Sequence, residues 1–242
     1  MNKNLIPNSS LLNPTQEIAA ENARFMSRVY AWMAMGLLTT GLISYAIGMN
    51  EELAMSIATN RVLFWVLLIA QLGSVFYLSA MIQKISSTAA LAVYGLYAAL
   101  TGVTLSVIFL VYTRESIFQV FAITSFAFAG LSAFGYFTKK DLGPIGSFCT
   151  MGLFGLVGFY IISMIFPSLM TEQVQIVTSL AGLVIFSGLT AYDTQKIKAM
   201  NVIGNEGTDD DRKEAIYGAL ILYLDFINLF LHILRLMGNR RR

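Results

Sequence analysis

Five stretches of this chain, residues 29–49, 62–82, 88–112, 117–137 and 145–166, contain no Asp, Glu, Lys or Arg. Two more of similar length, 174–193 and 215–236, carry one aspartate each. A bilayer's hydrocarbon core is about 30 Å thick and is crossed by roughly 20 apolar residues in a helix. Lipid offers no hydrogen bonds, so a spanning segment must satisfy its own backbone as a helix or a closed barrel. These runs are continuously apolar rather than alternating, which selects helices. Only 12% of residues are charged, against about 25% in soluble domains. The expected fold is an all-α integral membrane protein, a seven-transmembrane-helix bundle.

The connections at 83–87, 113–116 and 138–144 are short, so successive helices should be antiparallel neighbours in one membrane domain, 29–236. A polar N-terminal tail (1–28) precedes it and a basic C-terminal tail (237–242) follows. The tail has no short apolar core with a small-residue cleavage site, so the first helix is read as the insertion signal and no cleaved leader is expected. Asn8-Ser9-Ser10 fits a glycosylation sequon, discounted because the tail is expected in the cytoplasm. Lys and Arg fix that orientation. Lys3, Arg24, Arg28, Lys84, Lys139, Lys140, Lys196, Lys198, Arg212 and Lys213 fall on one side; Arg61 and Arg114 fall on the other, with Arg235 and Arg240 to Arg242 beyond the last run. The loops place the N-terminus in the cytoplasm. The terminal arginines argue against a full seventh crossing, but 215–236 is long enough to span, and a crossing is expected. The compact loops and short tail suggest a bacterial inner membrane.

The net charge of +2 gives no basis for nucleic-acid binding. Cys149 is the single cysteine and reads as a small buried hydrophobe. Gly41 and Gly48, Gly95 and Gly102, and Gly152, Gly155 and Gly158 read as packing faces where helices approach closely.

Asp193 closes the sixth run and Asp225 sits about three turns into the seventh. A charge at bilayer depth costs at least ~2.5–3.5 kcal/mol, so such residues pair, face a cavity and carry function. Both ends are expected on the cytoplasmic side of adjacent helices, so the two carboxylates can meet. Two carboxylates at low dielectric cannot both ionise comfortably and share a proton. Protonated, the pair is a clasp between helices; deprotonated, it repels itself or takes up a cation. Oxygen ligands suit Ca²⁺, which makes Asp193 and Asp225 candidate ligands and a pH-gated cation path the expected mechanism. Gly218, Asp225, Asn228, His232 and Arg235 recur at seven, three, four and three residues, one polar face of the last helix. That stripe places the last helix centrally. Asn228 and His232 are pathway candidates on it, although a lone His near a helix end is read first as a packing or interfacial residue. Gln71 and Lys84 complete the pathway candidates; Gln71 is expected to bond a neighbouring helix. Asp209-Asp210-Asp211 reads as a solvated hinge.

Three segments carry a resemblance. Phe134-Gly135-Tyr136 with Lys139-Lys140-Asp141-Leu142, then Ala191-Tyr192-Asp193-Thr194-Gln195-Lys196-Ile197, then Leu222-Tyr223-Leu224-Asp225-Phe226-Ile227-Asn228-Leu229-Phe230 resemble the Bax inhibitor family of transmembrane proteins. The resemblance implies six helices around a central last one and a pH-sensitive Ca²⁺ leak, with the paired-aspartate sensor at Asp193 and Asp225. It also implies links to suppression of cell death in eukaryotes and to restraint of a membrane protease in some bacteria. The chain departs from it in the second helix, where some relatives carry an acid near Gln71 and a basic residue for which Lys84 is the nearest candidate.

The leading function is therefore a pH-sensitive Ca²⁺-permeable leak channel, with Ca²⁺ as permeant or bound ion and no other cofactor. The alternative is a non-conducting regulator that contacts another membrane protein, such as a protease, through residues 1–28. Deleting that tail separates the two, because only the regulator loses its effect while leak persists. An intramembrane aspartyl protease is disfavoured: Tyr192-Asp193 echoes one half of its motif, but no glycine precedes Asp225 to open the helix. The chain is not expected to be an enzyme.

Overall fold

The computed structural model describes residues 14–241; Lys3, the Asn8-Ser9-Ser10 sequon and Arg242 lie outside them. Among the described residues nine α-helices follow in order: α1 (Pro14–Gly48), α2 (Glu51–Thr59), α3 (Arg61–Met81), α4 (Ser87–Leu105), α5 (Ile108–Val111), α6 (Arg114–Phe137), α7 (Gly143–Ile165), α8 (Glu172–Met200) and α9 (Asp209–Met237). Seven spans are long and apolar enough to cross a membrane, with α4 and α5 forming one of them. The seven-helix membrane bundle is as expected.

Four boundaries differ, each for a local reason. First, α1 starts at Pro14 rather than near residue 29, so half of the expected polar tail is helix projecting past the apolar run. Second, α2 occupies a stretch read as a connection. Asn50 caps it by accepting from Leu53 N–H, and Asn60, just past its end, caps α3 through Leu63 N–H. Third, the 88–112 run is interrupted at residues 106–107, where the Ser106 hydroxyl donates to Val103 C=O at 2.7 Å. Fourth, α8 continues to Met200, so Asp193 does not close its helix but lies about two turns inside it.

α9 is the axis. It packs against α8, α1, α6 and α4, while α3 packs mainly on α4 and α7 on α8. Its apolar side chains are buried nearly all round; Leu222, Tyr223 and Leu229 are fully enclosed. Lipid-facing helices show the opposite pattern, with Phe126, Phe137 and Phe154 more than 70% exposed. A helix covered on every side must be central.

One end of the bundle holds the α3–α4, α6–α7 and α8–α9 connections and the start of α1; we call it the loop end. The tail end holds the other connections and the C-terminus. There residues 239–241 lie beside 111–113: Thr113 N–H donates to Asn239 C=O at 3.0 Å and Arg241 N–H to Val111 C=O at 2.8 Å. The last helix therefore crosses fully, as expected, and its terminal arginines sit opposite the α8–α9 loop.

Close helix contacts account for some glycines and not others. A Cβ on Gly48, Gly102 or Gly152 would strike Phe109, Thr40 and Ile43, or Ile185. Gly41, Gly95, Gly155 and Gly158 meet nothing within 4 Å, so these four are not packing glycines. Spacing along one helix shows a small-residue stripe, but only the neighbour decides whether it is used. Cys149 is buried, its sulfur over Gly188, as expected of a small hydrophobe.

Candidate functional site

The three resembling segments converge on one region. Gly135 of α6 faces the backbone of Ala191 in α8, where any Cβ would collide with the Ala191 carbonyl. Gly146 of α7 makes room for the Tyr192 ring. Gln195 accepts from Leu142 N–H at 3.0 Å and donates to Lys140 C=O at 2.9 Å. Lys198 donates to Tyr136 C=O at 2.9 Å, its ammonium 4.3 Å from the Tyr136 ring centroid. The α6–α7 turn and α8 are thus riveted together on both sides of Asp193.

Asp193 of α8 and Asp225 of α9 are neighbours across the α8–α9 contact, close enough for each carboxyl to act on the other. Asp225 is 4% exposed and Asp193 half-buried. Two ionised carboxylates are acceptors only, so a bond between them requires a proton on one. Among the described residues neither aspartate has a salt-bridge partner. Lys196, one turn along α8, lies over the Tyr192 ring and forms no ion pair with Asp193. One oxygen of Asp225 is buried with no hydrogen-bond partner. A buried acid with neither cation nor full hydrogen bonding is costly as an anion, and a proton shared with the neighbouring carboxylate would relieve that cost.

A polar chain approaches the pair from the loop end. Tyr30 and Ser132 hydroxyls lie 2.5 Å apart, Ser132 and Thr194 hydroxyls 2.9 Å apart, and Thr194 donates to Thr190 C=O. With Thr194 donating onward, Ser132 donates to Thr194 and Tyr30 to Ser132. The chain runs from the Thr190 carbonyl, through Thr194 and Ser132, to a cavity of about 580 Å³ between α1 and α6 that Tyr30, Ser132 and Tyr136 line; among the described residues no hydrogen bond continues it to either aspartate. Sequence reasoning missed Tyr30 and Ser132: single hydroxyls on apolar helices carry no signal until the neighbour is known.

The other candidates divide. Asn228 and His232 share the α9 face of Asp225. The Asn228 amide donates to Leu224 C=O in its own helix. His232 is 5% exposed, seated on Gly182 and stacked 5.6 Å from Phe186, so it is a packing residue inside the α8–α9 contact and not an interfacial one. Gln71 and Lys84 are not brought to the pair. Gln71 donates to Thr104 at 2.6 Å, the helix-to-helix bond expected of it, beside a separate cavity of about 380 Å³. Lys84 is exposed in the α3–α4 turn. The reason is topological: α3 packs mainly on α4, which stands between it and α9. Among the described residues no group of three or more His, Cys, Asp or Glu could hold a metal. Two carboxylates supply at most four of the six to eight oxygens Ca²⁺ takes, too few to hold a resident ion by themselves.

The acidic run forms the first turn of α9 rather than a hinge; Asp209 and Asp210 are solvent-exposed, as expected, and Asp211 is not. Thr208 caps α9 by accepting from Asp211 N–H. Asp211, 1% exposed, pairs with Arg28 at 2.8 Å and accepts from Gly207 N–H. Arg24 grips Glu206 with bonds of 2.8, 2.9 and 3.1 Å, and Glu21 accepts from Gly204 N–H. The extension of α1 beyond the apolar run is thereby clamped to the α8–α9 loop. Its hydrogen bonds with Arg24 hold the Glu206 carboxyl below its ordinary range. That contribution is present above the ordinary carboxylate pKa and is lost as pH falls through the lowered one. Arg28→Met is expected to destabilise the protein by about 1–3 kcal/mol in a thermal melt, because it strands a buried carboxylate. Arg24→Met, at an exposed pair, should lower the melt far less than Arg28→Met.

Residues 22–242 match the protein family described as inhibitor of apoptosis-promoting Bax1. The chain is 45% identical over 218 residues to the inner membrane protein YbhL of Escherichia coli, covering 90% of this chain and 92% of that protein. It is 41% identical over 231 residues to an uncharacterized protein of Borreliella burgdorferi, covering 96% and 98%. A Deinococcus radiodurans protein, also uncharacterized, is 39% identical over 228 residues, covering 94% and 95%.

Proposed function

The chain belongs to the Bax inhibitor family, and on that premise we propose that it is a pH-sensitive, Ca²⁺-permeable leak channel of a bacterial inner membrane, gated by the Asp193–Asp225 pair. The observation that carries the proposal is a pair of facing acids, Asp225 buried and Asp193 half-buried, with no salt-bridge partner among the described residues, held between the two most tightly packed helices. With one proton shared, the pair latches α8 to α9. Loss of that proton leaves two like charges at low dielectric; they separate, and the oxygens they free attract a cation. The N-terminus and the loop end face the cytoplasm, in keeping with the Lys and Arg distribution. Asp193, half-buried near that end of α8, then exchanges its proton with the cytoplasmic side. The protein acts without enzymatic chemistry; α9 runs unbroken through Asp225, which supports that reading over a protease.

The protein reconstituted in liposomes should pass Ca²⁺, with flux about tenfold higher at mildly alkaline than at mildly acidic internal pH. Absence of Ca²⁺ flux above protein-free liposomes at every pH would overturn the channel and leave the non-conducting regulator.

A further inference from the structure

α1 and α6 both pack on α9 and meet each other through side chains, at Tyr30–Ser132 towards the loop end and at Tyr45–Phe118 towards the tail end. In the tail half of the bundle they part around a cleft of about 610 Å³, floored by Ile227 and Phe230 of α9 and walled by Leu38, Gly41, Phe118 and Phe121. It opens sideways at the depth of the hydrocarbon core. Over Gly41 the space is free, since a Cβ there would meet nothing within 4 Å.

The surface mouth of this cleft is basic. Arg114 lies one turn before Ile117 and Phe118 on the same face of α6, and both of those residues line the cleft. Arg240 is bridged to Tyr112, close behind Phe109 in the wall. Arg241 is anchored to Phe109 C=O at 3.1 Å and to Glu51 at 2.9 Å. Arg114 and Arg240 are exposed and have no acidic partner among the described residues. An apolar slot at acyl-chain depth below two unpaired guanidinium groups at headgroup level matches one ligand class. We propose that this cleft is a binding site for an anionic phospholipid, with one acyl chain against Phe230 and Phe121 and the phosphate on Arg114 and Arg240.

The test is native mass spectrometry of the detergent-solubilised full chain titrated with phosphatidylglycerol and, separately, phosphatidylcholine. Phosphatidylglycerol should bind about tenfold or more tightly than phosphatidylcholine. Arg114→Gln with Arg240→Gln should remove that preference, and Gly41→Trp should block both lipids by filling the slot while leaving the thermal melt unchanged. If Gly41→Trp does not fold, Ser125→Phe, on the opposite wall, serves instead. Equal affinity for the two lipids, or a preference that survives the double arginine variant, would overturn the proposal. So would a Gly41→Cys variant that cross-links as a dimer in membranes, since a second copy would then fill the cleft. None of these readings depends on Ca²⁺ flux.

Discussion

Asp225→Asn is expected to leave the bundle folded and to abolish the pH response of Ca²⁺ flux, reducing the ratio between alkaline and acidic flux from about ten to about one. Asparagine keeps the size of the aspartate and supplies a permanent N–H donor to Asp193. The clasp then persists at every pH, because nothing in it needs to gain or lose a proton. Asp193→Asn should act in the same direction but less completely. Asp193 is half-buried with Lys196 near it, whereas Asp225 is sealed in the protein with one oxygen unpartnered. The measurement is Ca²⁺ entry into dye-loaded liposomes across a pH series for each variant. A titration like that of the unaltered protein in both variants would remove the pair from the sensor and leave it a structural clasp.

The second large effect is expected at Gly135, which carries no chemistry. Gly135→Leu should prevent accumulation of folded protein, and Gly135→Ala should lower stability by about 1–3 kcal/mol. The obstacle is the backbone of Ala191, which has no rotamer to escape into, so α6 and α8 must move apart. That shift falls two residues from Asp193 and also strains the Ser132–Thr194 bond. Gly135→Ala should therefore change the pH at which flux turns on as well as the melting temperature. Gly155→Ala, on a helix face with nothing within 4 Å, is the control and should be neutral in both. A melt for Gly135→Ala equal to that of the unaltered protein would show that the α6–α8 approach is looser than described.

The clamp between α1 and the α8–α9 loop bears on the tail as a contact for another membrane protein. Glu21, Arg24 and Arg28 already have partners within the chain. A regulator working through residues 14–28 would have to compete for them.

The sequence by itself determined the membrane bundle, the seven crossings and the two acids, because hydrocarbon leaves a chain few alternatives. Twenty uncharged apolar residues must form a helix, and an acid among them must find a partner. The polar stripe of α9 foretold its central place for the same reason. Tertiary structure alone decided what the stripes and single polar groups touch. Gly135 and Gly41 look alike along the chain, yet one holds two helices in register at Asp193 and the other opens onto a cleft. Gln71 and Asp225 are both polar groups inside apolar runs, but α3 lies outside α4, so Gln71 never reaches the axis. Asp211 sits in a run of acids that reads as solvent-exposed, and it becomes buried because Arg28 arrives from a helix that begins fifteen residues before the apolar run suggests. In a membrane the solvent dictates which segments become helices, while contacts between side chains far apart in sequence dictate which faces meet; no local pattern encodes those contacts.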